Sequence, residues 1–164
     1  MTTRQFSVQR LTVISSKPFE DVVAALGAAV GHTDTGAFMK DIAAAKNYAE
    51  VEKIVHQVTG ASDLMEFFRL DLGMVSRKDR GDKAPRSVRF IIGNPLTMES
   101  MLQHVPDAGS YAPVTILVDE RADGVHLTYD KMASFLAPYG NAAAMKVAQD
   151  LDAKVEALLT SAAN

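Results

Sequence analysis

Apolar positions change their spacing several times along the chain, and each change marks an element. Over residues 3–14, Phe6 and Val8 alternate with polar neighbours before Leu11 and Val13 take the opposite parity. Alternation predicts a strand, and the switch of parity predicts a bulge or a face buried at one end only. Pro18 suits a first helical turn behind Ser15 and Ser16, and Phe19, Val22, Val23, Leu26 and Val30 follow at helical spacing, with Gly31 just past the end. Residues 32–36 read as a loop and 37–46 as a short helix. A second helix starts at Asn47, with Glu50 three residues on as a capping box requires. Val51, Ile54, Val55 and Val58 form its apolar stripe, and Gly60 ends it.

Residues 64–76 read as a long strand. Phe68, Leu70, Leu72 and Met74 share one parity with Glu66, whereas Arg69, Asp71 and Gly73 have the other. A charged turn over 77–86 leads to a strand over 87–93, so a hairpin is expected. A short helix over 97–105, capped by Thr97, puts Met98, Met101, Leu102 and Val105 on one face. Strands over 114–119 and 125–129 are joined by the turn Ala122-Asp123-Gly124. Residues 132–139 are irregular or briefly helical. Asn141 caps a last helix over about 141–161, in which Ala144, Val147, Ala148, Leu151, Val155, Leu158 and Leu159 recur at spacings of three and four.

The order is therefore β-α-α-β-β-α-β-β-α. Two consecutive hairpins preceded by one strand predict an α+β fold of two layers: a largely antiparallel sheet with helices mainly on one face and an extra C-terminal helix. The 164 residues are enough for one domain with a proper core, and 1–164 is expected to form a single unit. At 48% hydrophobic and 23% charged, the composition is that of a globular chain rather than a disordered one. A net charge of −3 gives no general pull toward nucleic acid. Cysteine is absent, which removes disulfides, thiolate nucleophiles and cysteine metal sites together. The opening MTTRQFSVQR has no apolar signal region, and the apolar run from Val22 to Val30 is interrupted by Gly27 and far short of the ~20 residues that span a bilayer. The expectation is a cytoplasmic protein with no membrane and no nucleic-acid partner.

Three segments carry a family resemblance: Arg89-Phe90-Ile91-Ile92-Gly93-Asn94-Pro95 with the helix that follows, Ala112-Pro113-Val114-Thr115-Ile116-Leu117-Val118, and His126-Leu127-Thr128-Tyr129-Asp130. A strand ending in Gly-Asn-Pro, a helix, a proline before an apolar strand and a strand ending in Tyr-Asp resemble the domain-of-unknown-function 302 family over about residues 5–135. The resemblance implies a β-α-β-β-α-β-β core, small bacterial and archaeal proteins, frequent dimers and no assigned activity. Two departures stand out: the segment 36–60 is longer and more helical than in compact members, and the helix from Asn141 lies beyond the family core.

The candidate site is the set of strand-end residues Asn94, Tyr129 and Asp130, with His104 as a fourth member. Polar groups just past strands stand on a rim, where they can converge on a ligand. The simpler reading is that Asn-Pro starts a turn and Asp caps one. Four histidines, His32, His56, His104 and His126, show no paired ligand spacing, so no metal and no cofactor are expected. Glu66 and Asp71 differ in parity and should point to opposite faces unless a bulge intervenes. The turn over 77–86 holds five basic and two acidic residues without an interleaved aromatic, which suits a solvated tip better than a phosphate site. Met98 and Met101 stand one turn apart, as copper(I) would want, but adaptable packing explains the eight methionines more simply. No Gly-rich phosphate loop or serine elbow is present. The resulting expectation is a homodimer that binds a small molecule; the stripe of the last helix must bury itself, either against a second copy or, as the competing answer, back on the chain's own sheet. The alternatives are an enzyme with an acid–base site at the strand ends and a protein-interaction module built on the last helix.

Overall fold

The computed structural model describes residues 1, 3 and 5–164, and of Asp82 only the backbone. The elements run β1 (Arg10–Ser15), α1 (Phe19–Ala29), β2 (Gly31–His32), α2 (Thr35–Ala44), α3 (Tyr48–Val58), β3 (Met65–Asp71), α4 (Gly73–Arg80), β4 (Ser87–Gly93), α5 (Pro95–Leu102), β5 (Val114–Arg121), β6 (Gly124–Asp130), α6 (Met132–Leu136) and α7 (Ala142–Ala163). The six strands form one sheet in the order β1-β6-β5-β4-β3-β2. All neighbours are antiparallel except β2 and β3. This is the two-layer α+β arrangement that the apolar spacing predicts.

Two rows of side chains crossing the sheet carry the core. Leu11, Tyr129, Ile116 and Phe90 stand in register across β1, β6, β5 and β4, and Val13, Leu127, Val118 and Val88 form the parallel row. α1 lays Phe19, Val22 and Leu26 against this face, joined by Met101 of α5 and by Met132 and Leu136 of α6. α7 fills the space between α1 and α5 and reaches β1 and β6. Its Ala144, Ala148, Leu151, Val155, Leu158 and Leu159 are all buried. The first of the two answers expected for this stripe, a second copy, is therefore corrected. An amphipathic face must bury itself, and the chain's own sheet offers the partner.

Local chemistry sets the boundaries. Asn47 and Asn141 cap α3 and α7 by accepting from the amides of Glu50 and Ala144, at 3.0 Å each. The cap of α5 is Asn94 rather than Thr97: its side chain accepts from Leu96 N at 2.9 Å, and Pro95 takes the first turn. Gly31 does more than end a helix. It opens β2, and a Cβ there would lie 1.7 Å from the carbonyl oxygen of Val58, so the close approach of the end of α3 requires glycine.

Two expected strands are shorter than predicted. β1 begins at Arg10, and Phe6 instead turns its ring edgewise onto Tyr111 and Phe135; position 4 of that expected strand lies outside the described residues. β3 ends at Asp71, and the alternating Leu72 and Met74 belong to α4 and its start. Asp71 pairs with Arg77, while Arg77, Lys78 and Arg80 suit the negative end of the helix. Gly81, at φ 59°, stops it.

Leu159→Ala, at a fully buried position of α7, should cost about 2–5 kcal/mol in urea unfolding. Tyr48→Ala, 52% exposed, should stay within about 0.5 kcal/mol. Equal losses at the two positions would contradict this packing.

Candidate functional site

A pocket of about 300 Å³ opens where the strand ends meet α2 and α5. α2 contributes Phe38, Met39 and Ile42, and β3 contributes Phe67. The end of β4 and α5 bring Gly93, Asn94, Pro95, Thr97, Met98 and Met101. Ala112, Pro113 and Val114 lead into β5, and Leu151 of α7 closes the inner wall. No lining residue carries a charge.

The backbone places these side chains. The register of β3 against β4 slips between Glu66 and Phe68, leaving Phe67 out of the pairing and available to the pocket. Thr35 donates to the carbonyl oxygen of Phe67 at 2.7 Å and so ties the start of α2 to the bulge. The same slip corrects the expected separation of Glu66 and Asp71. Both now lie in phase with the helix-side residues Ile92 and Val88. Each has its own cation, Arg69 for Glu66 and Arg77 for Asp71, so they form no acid–base pair.

The three strand-end candidates and His104 occupy separate environments. Asn94 is buried and lines the pocket. Its amide donates to both the carbonyl and the carboxylate of Asp63, at 3.1 Å each, while its oxygen caps α5. Lys154 of α7 holds the other oxygen of Asp63 at 2.6 Å. Tyr129 is 1% exposed within the core. Its hydroxyl donates to Asp152 Oδ1 at 2.6 Å, and that carboxylate also accepts from Met132 N at 2.7 Å and Ala133 N at 3.1 Å. Burial first, and the negative charge of Asp152 second, push the phenol far above its usual range, so it stays a proton donor. Asp130 lies on the opposite face of β6, gripped by Arg10 through bonds of 2.7 and 2.8 Å. The Arg10 hydrogen bond holds its carboxyl below the usual range against the opposing effect of burial. His104 is exposed and lines a separate shallow cleft with Asp107, Tyr139 and Asn141.

Sequence reasoning missed three participants. Phe67 was hidden by the bulge, Asp152 by its place on an apparently ordinary helix, and α2 by the absence of any local cue to what it covers. His126 differs from a surface histidine as well: it is 6% exposed on the far face of the sheet, with Nε2 2.9 Å from Asp123 and Nδ1 unpartnered among the described residues. No group of three or more His, Asp or Glu side chains that could hold a metal occurs among the described residues, and no helix there is long and apolar enough to cross a membrane.

A family model described as "Domain of unknown function DUF302" matches residues 40–162, which is most of the chain. This chain belongs to the DUF302 family. The match runs through α7, so the last helix lies within the DUF302 region rather than beyond a core ending near residue 135. A crystal structure of an uncharacterized conserved protein DUF302 from Bacillus stearothermophilus has the same fold, with a TM-score of 0.63 at 12% identity over 94% of this chain and 98% of that one. No curated protein matches the chain. DUF302 membership supports the fold and carries no activity with it.

Tyr129→Phe should destabilise this DUF302 domain by about 1–3 kcal/mol, because it leaves one buried carboxylate lone pair unmatched. Asp152→Ala should cost more, since it strands two backbone amides and the phenol together. A neutral Asp152→Ala variant in chemical denaturation would contradict the assignment. The lowered carboxyl of Asp130 stabilises the folded state above the ordinary carboxylate range, and this contribution is lost as pH falls through its depressed folded value. The melting temperature should therefore drop less steeply below that range in Asp130→Asn than in wild type. Identical slopes would remove the linkage.

Proposed function

We propose that this protein binds a small, uncharged, apolar molecule in the pocket between α2, α5 and the start of β5. One observation carries the reading: a cavity of about 300 Å³ at the strand ends whose walls hold no charged side chain. An ionised ligand would lose its hydration there without gaining a counter-charge, whereas apolar surface gains by entering. A few polar groups in an apolar wall are what fix a ligand's orientation, and Asn94 is one of them. Tyr129, Asp130 and His104 act in this reading through the scaffold and its other surfaces rather than inside the pocket.

The same reading keeps the protein cytoplasmic, bacterial and homodimeric. Since α7 is spent within the chain, the surface offered to a second copy draws on the exposed apolar side chains of Phe68 on β3 and of Leu72, Met74 and Val75 at the start of α4. Sedimentation equilibrium at micromolar concentration tests the dimer, and a mass near 17.7 kDa contradicts it.

The neutral fluorescent probe N-phenyl-1-naphthylamine tests the pocket. Wild type should bind it at one site, and Met98→Trp, which fills the cavity from α5, should weaken binding by about tenfold, a change of ~1.4 kcal/mol. Wild-type protein that leaves the probe dark, or a Met98→Trp variant that binds as well as wild type, would reject the assignment.

A further inference from the structure

We infer that the ligand of this pocket is a neutral, planar aromatic molecule bearing one hydroxyl group. The inference rests on the pocket reading above and adds the class of ligand to it.

The walls are built for rings. Met39 on α2 stands in the same lining as Met98 and Met101 on α5. Thioether sulfurs make favourable contacts with aromatic rings at a distance of ~5 Å, and the flexible side chains adapt to the outline of the ring. Phe67 already meets Phe38 edge to face, with centroids 6.5 Å apart at 74°, so a third ring extends an existing aromatic pair. A flexible alkyl chain of similar apolar area would lose rotamer freedom on entry, and a rigid ring has none to lose.

The polar part of the lining is small and specific. Asn94 and Thr97 stand at the cap and at the third residue beyond it, positions that share one side of a helix start. Asn94 Nδ2 is engaged with two oxygens of Asp63, and its Oδ1, which accepts from Leu96 N, keeps a second lone pair for a ligand. The hydroxyl of Thr97 makes no hydrogen bond among the described residues. One acceptor and one rotatable hydroxyl suit a ligand hydroxyl, which donates to Asn94 Oδ1 and accepts from Thr97. With no cation in the lining, an aromatic carboxylate would enter uncompensated.

The experiment displaces N-phenyl-1-naphthylamine from the full chain with 2-naphthol, naphthalene, 1-decanol and 2-naphthoate, in wild type and in Thr97→Val. 2-Naphthol should displace the probe at the lowest concentration of the four. Thr97→Val should weaken 2-naphthol by roughly three- to tenfold, the worth of one hydrogen bond, and leave naphthalene unchanged. The naphthalene arm shows whether the variant is folded with its pocket intact. If 1-decanol or 2-naphthoate displaces the probe as well as 2-naphthol does, the aromatic-alcohol class is wrong while the pocket stands. If Thr97→Val weakens naphthalene and 2-naphthol alike, or neither, the hydroxyl contact is wrong. If the probe never binds, the pocket reading fails and this inference goes with it.

Discussion

The buried carboxylate of Asp152 is the constraint on which the rest of the structure depends. It is 4% exposed, and it gathers the Tyr129 hydroxyl from β6 and two amides from the start of α6. A charge in that position is tolerable only when its lone pairs are filled, which makes the arrangement strict about geometry. Strictness at one residue places its neighbours. Leu151, one position earlier, becomes a wall of the pocket, and Lys154, two positions later, reaches Asp63, the residue that holds Asn94. One turn of α7 thus fixes the sheet, the short helix α6 and one side of the cavity. The last helix is a structural member of the fold, and its apolar stripe has no surplus to offer a partner.

The pocket exists because two apolar clusters meet without merging. The larger one spans the helix side of the sheet and includes Met101, Val114 and Leu151. The smaller one gathers Phe38, Val55 and Met65 with Ile42 and Phe67 from α2, α3 and β3. Members of both line the cavity. A gap between two well-packed clusters stays apolar because neither brings a charge to it.

What was legible in the sequence follows from the range of the interactions involved. Caps and stripes are local, so Asn47, Asn141 and the face of Phe19, Val22 and Leu26 could be read directly. The strands from Ser87 onward could be read for the same reason. Parity failed where the backbone departs from a regular ladder. The slip at Phe67 inverted the expected relation of Glu66 to Asp71, and Leu72 and Met74 continued a strand pattern into a helix. The separation of Tyr129 from Asp130 was visible in principle, since adjacent strand residues face opposite ways. The partner that occupies Tyr129 was not visible, because 23 residues separate it from Asp152 and nothing on α7 marks that aspartate as buried. The pocket was illegible for the same reason: its walls come from five separated segments and share only a lack of charge.

Amide hydrogen exchange of the full chain tests most directly whether α7 is integral. Amides from Leu151 to Leu159 should exchange only through global unfolding, with the same opening free energy as those of Val125 to Tyr129 in β6. If the α7 amides exchange rapidly while β6 stays protected, the helix detaches on its own, and the central role given to Asp152 is wrong.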